Sequence, residues 1–178
     1  LAAGEITARA QVDYASVAKT QELRGRDHFA LGVTAIHPNG FGVVIDGYYG
    51  HVARAEAEEM GISWGVEYGG RLLAFGIEKQ GKGEEYYNMM LRAAPFPVRD
   101  LTPGNFSKGK RFEEQMAPLF KSGKMRVSNE PDNRFLQQFV NEWLAWDGSQ
   151  HYYDDCLDAV YYSTRLIKGF IKPTAGDI

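Results

Sequence analysis

The sequence predicts one α/β domain, a mixed β-sheet flanked by helices. Three observations carry that prediction. Segments of period two and segments of helical period follow one another as strand, hairpin, helix, strand, helix, an order that packs helices against a sheet. The 178 residues suit one domain with a sizeable core. A composition 44% hydrophobic and 24% charged is that of a globular chain, not a disordered one. No internal repeat and no clean boundary divides the chain, so 1–178 reads as a single domain with 171–178 as a tail.

The composition also narrows the function classes. A formal net charge of -3 does not advertise a nucleic-acid binder, although it leaves room for a local basic face. One cysteine precludes an internal disulfide framework, and Cys156, beside Leu157, reads as a small buried residue of a reducing compartment. No apolar run approaches the length of a membrane span, and no signal peptide is evident.

Residues 5–14 place Ile6, Ala8, Ala10 and Val12 at alternate positions, a strand that delivers Asp13 to its end. The polar stretch 16–27, with Arg24 and Arg26, reads as a loop beside that acid. Residues 28–37 and 41–49 are rich in apolar and β-branched side chains, and Pro38-Asn39-Gly40 between them makes the pair a hairpin. His28 and His37 take ordinary turn or surface roles. Residues 51–63 read as a helix with a weak apolar stripe, ended by Gly61, after which Trp64 and Val66 return to the core. Tyr68-Gly69-Gly70 turns into a run from Arg71 to Glu78, short and apolar, which reads as a buried strand ending in an acid.

Gly81-Lys82-Gly83 lacks the Ser or Thr of a phosphate-binding loop and reads first as a tight turn, with a phosphate contact by Lys82 as the alternative. Residues 84–93 form a helix that Pro95 and Pro97 stop, and 96–101 add a short strand. Ser107 caps a helix from about Lys108 to Phe120. Lys108, Arg111 and Gln115 share one of its faces, which is either solvated or turned to phosphate. Met125-Arg126-Val127 reads as an edge strand. Phe135, Leu136, Phe139, Val140, Trp143 and Leu144 recur at helical spacing as a core-facing stripe.

The stretch from His151 to Val160 carries the chemistry. It opens a helix that Tyr161, Tyr162, Leu166 and Ile167 continue. Asp158 follows Asp154 at i+4 and Asp155 at i+3, and like charges at those spacings repel. Locally two readings stand side by side: an N-cap with first-turn acids favoured by the helix dipole, or a site neutralised by a divalent cation. If the first strand and the Leu72 to Ile77 strand are neighbours, Asp13 and Glu78 converge, and the last helix can add Asp154 or Asp155. Oxygen-only donors suit Mg²⁺ or Mn²⁺.

Several segments in this order resemble the C-terminal nuclease domain of the large terminase subunit of tailed bacteriophages, in the ribonuclease H-like superfamily. Asp13-Tyr14-Ala15 resembles the family's first catalytic acid and the residues after it. Asp27-His28-Phe29-Ala30 resembles the start of its second strand, and Ile77-Glu78 its second acidic position. Lys108 and Arg111 match a recurrent Lys-x-x-Arg, followed by Pro118 and Gly123. Leu136-Gln137-Gln138-Phe139 resembles the segment before the final helix. Asp154-Asp155-Cys156-Leu157-Asp158-Ala159 matches the most diagnostic motif, Asp-Asp-x-x-Asp-Ala. The resemblance spans roughly 6–168. Two departures stand out: Tyr152-Tyr153 separate His151 from the Asp pair, so His151 receives no metal role, and the family's ATPase motor lies outside these residues.

The resemblance implies a ribonuclease H-like fold and metal-dependent cutting of double-stranded viral DNA during genome packaging. It implies two divalent ions, Mg²⁺ or Mn²⁺, held about 4 Å apart. Asp13 would bridge them, and Glu78, Asp155 and Asp154 would complete the set, without a choice between the last two. Asp158 would coordinate directly or support the ligands from behind. Lys82, Lys108, Arg111, Arg24 and Arg26 would contact the DNA backbone. The partners implied are the terminase ATPase domain, the small terminase subunit and the capsid portal, in the cytoplasm of an infected bacterial host. A junction-resolving or transposase-like nuclease of the same superfamily, or a non-catalytic packaging interaction module, is the alternative.

Overall fold

The structure, a computed structural model, describes residues 10–15, 29–79, 83–101, 106–148 and 154–167. Six strands form one sheet: β1 (Ala10–Ala15), β2 (Phe29–Ile36), β3 (Gly42–Gly50), β4 (Phe75–Ile77), β5 (Val98–Asp100) and β6 (Met125–Val127). Their spatial order is β5-β4-β1-β2-β3-β6. β2 is antiparallel to both β1 and β3, whereas β4 runs parallel to β1, β5 to β4 and β6 to β3. The sheet is therefore mixed, with β2 alone reversed. β1 and β4 are neighbours, as the convergence of Asp13 and Glu78 requires. The hairpin between β2 and β3 closes at Gly40, whose N–H donates to His37 O at 2.8 Å. His37 stacks on Phe41 with centroids 4.3 Å apart, a turn role.

The alternation along β2 sorts the layers. Phe29, Leu31 and Val33 face a core shared with Phe75 and Ile77 and with helices α1 (Arg54–Tyr68) and α2 (Gly83–Ala93). Ala30 faces the opposite core, under α4 (Arg134–Ala145) and α5 (Asp155–Ile167). Large side chains thus point one way and small ones the other. The small side admits a close helix. A Cβ on Gly32 would meet Ala159 Cβ at 3.4 Å and Phe135 Cζ at 3.2 Å. Thr34 Oγ1 and Ser163 Oγ share a buried hydrogen bond of 2.5 Å.

Helix α1 departs from the sequence reading. It runs through Gly61 to Tyr68 and stops at Gly69, whose φ of 48° ends it. Its buried face is Ala57, Gly61 and Gly65, spaced by four. A Cβ on Gly61 would collide with Tyr86 Oη, and one on Gly65 with the Phe96 ring. Tyr86 Oη donates to Ala57 O at 3.1 Å. The face is packed by its neighbours' aromatic rings, so its own residues are small and the apolar stripe is weak. Trp64 packs beside this core, but Val66 is 53% exposed, contrary to expectation. The strand predicted from Arg71 shrinks to Phe75–Ile77, although Leu72 and Ala74 are buried ahead of it.

The predicted helix over 108–120 is not uniform. Residues Lys110–Met116 form a π-helix, in which Ala117 N–H donates to Phe112 O, and α3 (Ala117–Lys121) follows with Pro118 in its first turn. Ser107 sits at the start, where its Oγ accepts from Lys110 N–H at 3.4 Å. In α4, Phe135, Leu136 and Phe139 are buried as expected. Val140 faces outward and Leu144 is 78% exposed, because the buried stripe continues through Glu142 instead.

Candidate active site

Helix α5 organises the site. Ala159 lies over Gly32 and Ser163 over Thr34, so the helix runs along β2 in the same sense as the strand. Its first turn is thereby brought to the end of the sheet where β2 begins. Because β1 and β4 run opposite to β2, both end there. Tyr14 is level with Ile77, and Glu78 follows at once. Glu78 is only 3% exposed, and a carboxylate so placed is costly unless cations or hydrogen-bond donors face it. Asp13 is level with Gly32 on one side and Gly76 on the other. Its backbone position is the part of it described. Arg24, Arg26 and Lys82 lie outside the described residues.

The three acids of α5 have different surroundings. Both Asp154 oxygens face the Lys108 ammonium at 2.5 Å. Asp158, 1% exposed, has Oδ2 at 3.0 Å from the same ammonium and Oδ1 at 2.9 Å from Arg111 Nη1. Asp155 is half-buried. The repulsion expected among the acids is therefore met in part by two cations of the chain itself. Burial alone would lower the Lys108 pKa, but Asp158 and Asp154 outweigh it and raise it above the ordinary lysine value.

Arg111 is itself buried at 5% exposure. Its Nη1 also donates to Tyr162 Oη at 3.1 Å, and the guanidinium lies 5.6 Å from the Tyr161 ring centroid and 5.9 Å from that of Tyr162. Gln115, the third residue of that face, accepts from Tyr161 Oη at 3.0 Å. The face that the sequence offers to solvent or phosphate is thus packed on α5. The wide π-helical turn carries Arg111, Phe112 and Met116 into that contact.

One residue that the sequence reading passed over is Glu142. It is 5% exposed, accepts from Leu157 N–H at 3.0 Å and from Gln138 Nε2 at 3.0 Å, and so joins α4 to the start of α5. Its signal was present: Glu142 stands three residues after Phe139 on the buried stripe, with Gln138 at i-4. Burial pushes its pKa up to about 8, against hydrogen bonds from Gln138, Leu157 and Cys156 that pull it down. Between the ordinary value of 4.5 and about 8 the folded chain keeps a proton that the unfolded chain has lost. Its contribution to stability is therefore greatest below that window and falls as pH rises through it, by an amount on the order of a few kcal/mol. Glu142→Gln keeps an acceptor for Leu157 N–H and has no proton to lose. Its unfolding temperature should change less than the wild type's between about pH 5 and about pH 8. Thermal unfolding of both proteins checks this, and parallel pH profiles would contradict it.

The donor chemistry of this end of the sheet suits a hard cation. Glu78 and Asp155 carry carboxylate oxygens, and the backbone of Asp13 lies on the strand beside β4. The one thiol, Cys156, is fully buried, and burial with the charges of Glu142 and Asp155 holds its proton on, so it offers no thiolate. Asp154 and Asp158 are already engaged by Lys108 and Arg111. Among the described residues, no group of three His, Cys, Asp or Glu could hold a metal ion, and the set just named depends on Asp13.

No family model matches the chain, and no curated protein sequence matches it significantly. Solved structures do. The human cytomegalovirus terminase nuclease domain superposes with a TM-score of 0.59 at 14% identity, covering 88% of this chain and 81% of that one. The large terminase nuclease from thermophilic phage G20c, solved with bound zinc, gives a TM-score of 0.59 at 12% identity, covering 86% and 81%. The chain shares the fold of these terminase nuclease domains, a mixed sheet flanked by helices.

Proposed function

We propose, from a fold shared with terminase nucleases, that this domain is a divalent-metal-dependent endonuclease that cuts double-stranded viral DNA during genome packaging. The observation that carries the reading is the placement of α5. Laid along β2, it brings Asp155 to the end of the sheet where β4 stops before Glu78 and where β1, with Asp13, also stops.

Asp13, Glu78 and Asp155 are the residues that would hold the metal. Mg²⁺ or Mn²⁺, two ions, fits their oxygen donors, and the zinc in the phage G20c structure is in keeping with a metal at such a site. The ions would supply Lewis-acid polarisation of the scissile phosphate and a water of lowered pKa. The remaining work belongs to the chain. Lys108 and Arg111 hold Asp154 and Asp158 and so fix the first turn of α5. Arg111, being buried, serves from inside rather than on the DNA backbone, a role left to Arg24, Arg26 and Lys82. A terminase ATPase domain, a small terminase subunit and a capsid portal are the partners proposed, in the cytoplasm of an infected bacterium.

A second reading, a non-catalytic packaging module, draws on one observation: the ion pairs already neutralise two of the three acids of α5. Calorimetric titration with Mn²⁺ separates the two. The nuclease reading expects saturable binding that Asp13→Ala abolishes while the circular dichroism spectrum is unchanged. No heat from the wild type would favour the module.

A further inference from the structure

We infer that Glu142, on α4, is a positioning residue for the metal site: it supplies the N-terminal cap of α5 from another helix and thereby sets where Asp155 stands. The inference rests on the nuclease reading for its consequence, but its structural part stands on hydrogen bonds alone.

A helix begins with backbone N–H groups that have no partner within the helix. The residue before the first turn ordinarily accepts from them through its own side chain. In α5 that residue is Asp154, whose carbonyl opens the helix by accepting from Asp158 N–H at 2.9 Å. Both oxygens of its carboxylate face Lys108. The third N–H of the helix, that of Leu157, is met by Glu142 Oε2 at 3.0 Å, in a buried setting. The other oxygen of Glu142 accepts from Gln138 Nε2, which fixes the side chain along α4.

The other end of α4 is tied down independently. Asn133 caps it by accepting from Leu136 N–H at 3.0 Å and donates to Asp46 Oδ1 at 2.5 Å. Asp46 lies beside the irregularity in β3, where the pairing of Val33 with Asp46 is followed by that of Thr34 with Val44. A continuous chain of contacts therefore runs from the bulged strand through α4 to Leu157, two residues after Asp155. Residues that hold metal ligands in place typically cost about 10–100-fold in metal affinity or activity when removed. Because the cap comes from α4, Asp154 can stay on Lys108 while the first turn of α5 is held from the other side.

The test uses the whole chain as wild type, Glu142→Ala and Glu142→Gln, below the unfolding temperature of each. Hydrogen exchange is read separately over 155–158 and over 160–167, and Mn²⁺ affinity is measured by calorimetry. Glu142→Ala should speed exchange over 155–158 by roughly tenfold or more while 160–167 keeps its protection, and should weaken Mn²⁺ binding by about 10-fold or more. Glu142→Gln, which keeps the acceptor, should restore most of both. Unchanged exchange over 155–158, or equal acceleration along all of α5, overturns the inference whatever the metal does. Local acceleration with unchanged Mn²⁺ affinity overturns its link to the metal site. Local acceleration in a protein whose wild type binds no Mn²⁺ supports the cap and defeats the nuclease reading instead.

Discussion

Arg111→Met is expected to destabilise the domain by about 3–5 kcal/mol, the usual result of removing one partner of a buried ion pair. Asp158 would keep its burial and lose the Nη1 donor at 2.9 Å, leaving the Lys108 ammonium as the cation beside it. Tyr162 Oη would lose its donor as well. The guanidinium also spans Phe112, Tyr161 and Tyr162, so part of the loss is packing. For a chain of this size the unfolding temperature should fall by at least roughly 6 °C. The double variant Arg111→Met with Asp158→Leu should recover much of the loss, because the uncompensated charge goes with its partner. Urea unfolding of the single and double variants measures both. A loss below about 1 kcal/mol for Arg111→Met would mean that the pair is worth no more than an exposed one.

The second large effect separates the adjacent acids. Asp155→Asn should lower DNA cleavage about a thousandfold, the rate equivalent of several kcal/mol of charge stabilisation supplied through the ion it helps to hold. Asp154→Asn should lower it by only about 10–100-fold, as expected of a residue that holds its neighbours in place. The difference follows from what each carboxylate faces. Asp154 has both oxygens on Lys108, whereas Asp155 stands half-buried at the start of the helix, at the end of the sheet where β4 stops before Glu78. Single-turnover cleavage at saturating Mn²⁺ checks the order. Equal losses, or a larger loss for Asp154→Asn, would place Asp154 among the ligands and require Lys108 to leave it.

How much of this was legible in the sequence depended on whether the signal was local. The hairpin was, because Asn39-Gly40 meets the backbone demand of a reversal within two residues. The buried strand before Glu78 was too, since Phe75 and Ile77 are apolar on one face and Gly76 leaves room on the other for Leu101 and Leu166. The length of α1 was not: its buried face is Ala57, Gly61 and Gly65, and what fills it is Tyr86 and Phe96 from later in the chain. The acids of α5 were recognised as a cluster, but their partners were not. Lys108 and Arg111 lie some forty-odd residues earlier, and spacing alone shows which residues share a face, not what that face meets. Glu142 escaped for the related reason that a charged residue on an apolar stripe reads as an exception until the N–H groups it satisfies are in view.

In the proposed function, carboxylates at one end of this sheet would hold the divalent ions with which the domain cuts DNA. Cleavage of supercoiled plasmid by the purified domain with Mn²⁺ or Mg²⁺, beside EDTA and a folded Asp13→Ala control, tests it most directly. Nicking or linearisation that needs the metal and disappears with Asp13→Ala is the predicted result. Cleavage that persists in EDTA or in Asp13→Ala, or a protein that leaves the plasmid supercoiled with either metal, would contradict it.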